Sequence, residues 1–237
     1  MSSPARIDRR SLLSRIAVFS ALEPEELDLL SDVTITRRLK ARDELFHKGD
    51  PGDEAYAIAS GRLKATAQSA DGREVTFSIM AEGEVFGDVA MLSGGRRTAT
   101  VTALEASELL VIRRRDLIPL FERRPRIAIA AMASLAERLA HVSEVVEETL
   151  FLSLTARLAR RLLSLADEWG ERESGGLLRI DLKLSQSELG NLVGATREAV
   201  NKQMRSWEKS GLVTNDNGRL CILDREGLAA LAAFPIP

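Results

Sequence analysis

Cysteine, histidine and long apolar runs are scarce in this 237-residue chain, and each scarcity closes off a class of chemistry. A single cysteine, Cys221, allows no internal disulfide, no multi-cysteine zinc site and no four-cysteine iron–sulfur cluster. The only two histidines, His47 beside a turn and His141 on a helical stretch, read as solvated side chains, so neither metal nor haem is expected. No phosphate-loop G-x-x-x-x-G-K, zinc-protease H-E-x-x-H or nucleophile-elbow G-x-S-x-G occurs, which argues against an enzyme. The longest uncharged apolar stretch, residues 127–136, is ten residues long. That is half of the roughly 20 a bilayer span needs. Arg6, Arg9 and Arg10 precede no signal-like apolar run, and the chain is expected in the cytoplasm, away from membranes. An excess of one charge is missing too: 33 basic and 35 acidic side chains leave −2, so any nucleic-acid role must come from a local arrangement.

Glycine is present but uneven. Eight of sixteen lie between Gly49 and Gly95, and none occurs from Arg96 to Trp169. In the glycine-rich part, short apolar runs at residues 54–59, 63–67, 75–80 and 109–112 alternate with turn signals such as Gly49-Asp-Pro-Gly-Asp53 and Asp71-Gly72, the pattern of a jelly-roll or barrel of short strands. Ahead of it, residues 24–31 read as a helix entered through Pro24, and residues 7–16 as another. From residue 125 to about 151, Met132, Leu135, Leu139, Val142, Val146 and Thr149 recur at alternating steps of three and four, an a/d seam kept for nearly three heptads. A parallel dimer explains it; a long helix buried against its own domain is the alternative. After a break at residues 151–154 the pattern predicts a helix over 155–169, a Gly175-Gly176 turn and a strand over 177–184.

Ser185-Gln-Ser-Glu188 is a capping box that starts a helix running to Leu192. Gly190 is small where two helices would cross, Gly194 permits a left-handed turn, and Thr196 caps a second helix with Val200 facing inward. Together they read as a helix-turn-helix. The second helix presents Arg197, Glu198, Asn201 and Lys202: arginine can fork to guanine, glutamate can accept from cytosine, and lysine can reach guanine or phosphate. An ordinary solvated face with a Glu198–Lys202 pair is the alternative. Residues 212–215 and 219–223, joined by Asp216-Asn217-Gly218, read as a hairpin wing. Arg157, Arg160 and Arg161 read as the wet side of an amphipathic helix or as phosphate contacts.

The most distinctive segment spans residues 86–101, where Phe86-Gly87-Asp88 and Arg97-Thr98-Ala99 flank a glycine-rich turn. A buried phosphodiester needs a fixed cation and hydroxyl and amide donors, and a ribose hydroxyl is met by a carboxylate; Arg97, Thr98 and Asp88 offer those groups. An ion pair between Asp88 and Arg97 across a hairpin explains the same residues.

With these motifs in order, the chain resembles the Crp/Fnr family of transcription regulators from about residue 16 to 222. The resemblance implies an α+β chain: a cyclic-nucleotide-binding double-stranded β-helix (jelly-roll) over 1–124, a dimerisation helix over 125–151, and a winged helix-turn-helix over 152–237. It implies that Arg97 and Thr98 bind the cyclic phosphate and Gly87 and Asp88 the ribose, with Arg138, Val142 and Ser143 facing the pocket from the long helix. It places Ser185, Gln186, Thr196, Arg197, Glu198, Asn201 and Lys202 at the DNA. It further implies a homodimer on palindromic DNA in contact with RNA polymerase, in which the ligand swings the DNA-reading units about residues 151–154. Three departures stand out. Asp88 is one methylene shorter than the family's glutamate. Lys202 replaces a frequent arginine, exchanging a fork for a point charge. Val142 replaces a threonine that helps hold adenine in a cyclic-AMP-binding relative, which at about 1 kcal/mol per lost hydrogen bond opens the base choice from cyclic AMP to cyclic GMP. The other readings are a family member that is nucleotide-independent or senses another ligand, and a cyclic-nucleotide-binding scaffold that does not bind DNA.

Overall fold

The computed structural model describes residues 8–20, 22–172, 178–216 and 219–233. The chain divides into two compact units, residues 1–72 with 76–139 and residues 73–75 with 140–237. The predicted turns at Gly175-Gly176 and Asn217-Gly218, together with Ile7 and Leu177, lie outside the described residues.

The first unit opens with α1 (Arg9–Arg15), which starts where the Asp8 carboxylate accepts the Ser11 amide. A single 3-10 turn follows, then α2 (Pro24–Val33), which runs two residues beyond the expected end. The β-roll consists of β1 (Ile35–Leu39), β2 (Glu44–Phe46), β3 (Glu54–Ser60), β4 (Leu63–Gln68), β5 (Glu74–Met80), β6 (Val85–Phe86), β7 (Thr100–Ala103) and β8 (Ser107–Arg113). The strands form two four-stranded sheets, ordered β1-β8-β3-β6 and β2-β7-β4-β5. Three helices complete the unit: α3 (Asp88–Ser93) between β6 and β7, α4 (Arg114–Arg123) after β8, and the first part of α5 (Pro125–Phe151).

Strand alternation builds two cores. On β3 and β8, Ala55, Ala57, Leu110 and Ile112 turn outward onto Leu13, Phe19, Leu27, Met91, Leu117 and Ile127 of the helices. The intervening Tyr56, Ile58, Leu109 and Val111 turn inward onto Leu39, Leu63, Phe86 and Val101. The first sheet is thus covered on both faces, so these strands read as unbroken apolar runs.

In the second unit α5 ends at Phe151, Ser153 caps α6 (Leu154–Trp169), and a four-stranded sheet follows in the order β11-β12-β10-β9. Its strands are β9 (Gly170–Arg172), β10 (Leu178–Ile180), β11 (Val213–Asp216) and β12 (Arg219–Ile222). Between them lie α7 (Gln186–Val193) and α8 (Arg197–Lys209), and α9 (Arg225–Leu231) closes the chain's described part. The strand predicted over 177–184 is shorter: its partner β9 is three residues long, and pairing stops where the Asp181 N–H meets Trp169 O at 2.8 Å, because Trp169 is already the last residue of α6. No helix among the described residues is long and apolar enough to cross a membrane. The architecture is α+β: a double-stranded jelly-roll, a long helix and a winged helix-turn-helix.

Candidate functional site

In the first unit the site grows from the end of β6. Gly87 turns the chain in a left-handed conformation (φ 77°), and a Cβ there would lie 2.7 Å from Arg97 Nη1, so the position requires glycine twice over. Arg97 is fixed by its own backbone: its N–H donates to Asp50 O at 2.8 Å and its carbonyl accepts from Gly49 N at 2.9 Å. This bracing by the Gly49–Asp53 turn drives the side chain inward, where only 5% of the residue is exposed. Nη1 donates to Glu54 O at 2.7 Å and to Gly87 O at 2.9 Å. The guanidinium carbon sits 4.2 Å from the Phe46 ring centre and 5.4 Å from that of Tyr56. Nε is buried with no hydrogen-bond partner. A buried cation facing carbonyls and rings, with one donor unused, is a ready receptor for an anion. Thr98, next along, is exposed.

The alternative Asp88–Arg97 ion pair does not form, because Arg97 is committed to carbonyls. The partner of Asp88 is Arg138 on α5, whose Nη1 donates to Oδ1 at 3.0 Å while Nη2 donates to Oδ2. Val142 and Ser143 follow one turn further along α5, both exposed, on the part of the helix that belongs to the second unit. Tyr56 donates its hydroxyl to Glu54 Oε2 at 2.9 Å. Burial, aided by that carboxylate, pushes its pKa up to about 12, so it stays a neutral donor.

Sequence reasoning missed two parts of this site. The ring cluster of Phe46, Tyr56 and Phe86, with Tyr56 and Phe86 centroids 5.3 Å apart, comes from three separate strands and leaves no local signal. Arg114 donates to Leu92 O at 2.7 Å and to Met91 O, at the end of α3. In sequence it is hidden in a run of three arginines.

In the second unit the local chemistry is explicit. Ser185 Oγ accepts the Glu188 N–H at 3.2 Å while Glu188 Oε2 accepts the Ser185 N–H at 2.7 Å. A Cβ on Gly190 would lie 2.6 Å from Ala195 O, so the turn between α7 and α8 closes only over glycine. Thr196 Oγ1 accepts from Ala199 N at 3.2 Å. Val200, Met204 and Trp207 form the buried face of α8. The opposite face carries Arg197, Glu198 and Lys202, all exposed, with Asn201 half-buried among them. Ser185 is exposed and Gln186 half-buried at the start of α7. Among the described residues Glu198 and Lys202 make no ion pair. Arg205, exposed one turn past Asn201, extends the same cationic face, and its helical spacing was the available signal.

One expectation is corrected. Arg157 and Arg160 are not simply the wet side of α6: Arg157 Nη1 donates to Thr149 O and Leu152 O at 3.2 and 3.4 Å, and Arg160 bonds Ala232 O at 2.9 Å and Glu148 Oε1 at 3.1 Å. Burial pushes the Arg161 guanidinium below its ordinary range, opposed by Glu168 and Glu148. Both histidines are at exposed positions, with His47 Nε2 2.7 Å from Glu44 and His141 Nδ1 3.7 Å from Glu144.

Known proteins carry the same two parts. The cyclic nucleotide-binding domain family matches residues 36–124, and the Crp-like helix-turn-helix domain family matches residues 156–231. The chain is similar to a CRP-like cAMP-activated global transcriptional regulator of Mycobacterium tuberculosis, 31% identical over 226 residues that cover 93% of this chain and 98% of the relative. A cyclic AMP receptor protein of Thermus thermophilus is 31% identical over 196 residues, covering 83% and 87%. Among solved structures, a transcriptional regulator of the CRP/FNR family from Thermus thermophilus aligns with a TM-score of 0.71 at 27% identity, covering 84% of this chain and 99% of that one.

Proposed function

Because the chain belongs to the Crp/Fnr family of transcription regulators, we propose that it acts as a homodimer that reads palindromic double-stranded DNA under the control of a cyclic nucleotide, in the cytoplasm and in contact with RNA polymerase. The observation that carries the nucleotide reading is Arg97: a guanidinium 5% exposed, seated beside a glycine turn, with its Nε unpartnered. An anionic phosphodiester would meet Arg97 and Thr98, and the Gly87–Asp88 turn would meet the ribose hydroxyl. Arg138 connects the pocket to α5 through Asp88. Val142 and Ser143 complete the proposed ligand contacts further along the helix. The relatives named for cyclic AMP put that nucleotide first, and cyclic GMP is second because Val142 offers no hydrogen bond to the base.

The dimer reading rests on α5. Met132, Leu139, Val142 and Val146 are 58%, 68%, 56% and 52% exposed at a and d positions of one heptad pattern. The DNA reading rests on the capped α7–α8 pair, with Ser185, Gln186 and Thr196 at the helix starts and Arg197, Glu198, Asn201 and Lys202 toward the groove. The ligand would shift the populations of two dimer arrangements by binding one of them more tightly.

One observation favours a second reading, a regulator without nucleotide control: both oxygens of Asp88 are already taken by Arg138. Calorimetry of the purified chain with cyclic AMP and cyclic GMP separates the two. Saturable binding near one nucleotide per chain supports control by a cyclic nucleotide, and heatless titrations with both sink it.

A further inference from the structure

α3 spans only six residues, Asp88–Ser93, and every short helix leaves its last carbonyls without partners inside the helix. Here three of those carbonyls, at residues 90, 91 and 92, have partners. Ala90 O accepts from the Gly94 and Gly95 N–H groups and from Ser93 Oγ. Met91 O and Leu92 O both accept from Arg114 Nη1, the second at 2.7 Å. The cation also sits favourably at the negative end of the helix dipole.

The other end of α3 is held differently. Gly87 O, at its start, accepts from Arg97 Nη1, the same group that faces the proposed anion site. An anion drawn to Arg97 competes with Gly87 O and Glu54 O for that guanidinium, whereas nothing at the anion site competes for Arg114. The N-terminal end of α3 is therefore exchangeable and the C-terminal end is anchored. The anchor leads somewhere, because Arg114 is the first residue of α4, and its own N–H donates to Asp53 O at 2.8 Å, at the mouth of β3. Beneath it, Met91 of α3 packs in one cluster with Leu117 of α4 and Ile127 of α5.

We infer that Arg114 is a positioning residue: it pins the C-terminal end of α3, so that a ligand at Arg97 turns α3 about this point and the movement passes into α4. The inference deepens the nucleotide reading and rests on it.

Hydrogen exchange and calorimetry on the full chain test it, comparing Arg114→Met, Arg114→Lys and, as a control, Arg115→Met, whose side chain is 73% exposed. Without ligand, Arg114→Met should raise exchange across residues 88–95 about tenfold, with Arg114→Lys intermediate because a point charge replaces the fork, and Arg115→Met unchanged. With cyclic AMP or cyclic GMP, the wild type should change its exchange over 114–123. Arg114→Met should bind about tenfold more weakly and, when saturated, lose that change; a purely structural loss would weaken the fold without separating binding from the response. Wild-type exchange over 88–95 in Arg114→Met, or a ligand response over 114–123 that survives in it, overturns the inference. If Arg114→Met does not fold, the same two readouts in Arg114→Lys decide. If the wild type binds neither nucleotide, the functional reading falls, and the anchor itself stands or falls on the ligand-free exchange over 88–95.

Discussion

A guanidinium taken out of water is costly unless oxygen atoms or ring faces surround it, and Arg97 has both, from Glu54, Gly87 and Phe46. Arg97→Ala should therefore do two things at once. It removes the buried cation at the turn, so calorimetry should find no nucleotide binding. It also takes a donor from two carbonyls, Glu54 O and Gly87 O, the second of which keeps the Met91 N–H at 3.3 Å, so denaturant unfolding should show a folded protein less stable by about 1–3 kcal/mol. An unchanged nucleotide titration would remove Arg97 from the site. On α8, Arg197 stands exposed in the first turn, with its helix start fixed by Thr196. Arg197→Ala should relax discrimination at one G·C pair of the operator by about 1–3 kcal/mol, measured as the affinity ratio of matched and substituted duplexes. Equal weakening on every duplex would make it a phosphate contact. These residue types were legible in the sequence; their partners were only partly so. Ser185 and Glu188 meet across three positions, which a capping box announces. Asp88 meets Arg138 across 50 and Arg97 meets Glu54 across 43, and only the folded roll and helix bring those together.

At the scale of elements, periodicity decided what could be read. The long helix was legible end to end because its apolar repeat is strict and its start is marked by Pro125. The strands of the double-covered sheet were legible as unbroken apolar runs. α4 was not read at all: its ten residues carry five charges and Pro119, and they bury fully only Leu117, so no stripe marks it. α3 is too short for any period to show. The turn between α7 and α8 is the clearest case of a local rule fixing an element. Ala195 N donates to Gly190 O at 2.9 Å, and the returning Ala195 carbonyl occupies the space a side chain at 190 would need. Gly190→Val should open that turn and displace α8, lowering operator affinity by at least tenfold in a fluorescence titration while leaving nucleotide binding by the first unit unchanged. Retained operator affinity would mean that the α7–α8 geometry does not set DNA reading.

For the molecule as a whole, the near-zero net charge means that affinity for DNA must come from a local surface, which the proposed dimer would use twice. Each copy of α8 carries Arg197, Lys202 and Arg205 on its exposed face, and a dimer presents the set twice. Every phosphate neutralised releases counterions and adds roughly −0.9 to the slope of log affinity against log salt. Val146, 52% exposed at an a position, is a place to separate the copies without touching either α8 or the Arg97 pocket. A Val146→Glu substitution puts a like charge against itself across a two-fold seam, so sedimentation should find a monomer at micromolar concentration. That monomer should still bind nucleotide through Arg97, but it should bind the operator with about half the wild-type salt slope and without preference for a second half-site. The halved slope is the discriminating number: loss of folding would abolish binding at every salt concentration, whereas loss of the partner removes one set of phosphate contacts and keeps the other. A Val146→Glu protein that sediments as a dimer, or a monomer with the full slope, would show that the exposed stripe on α5 does something other than join two DNA-reading units.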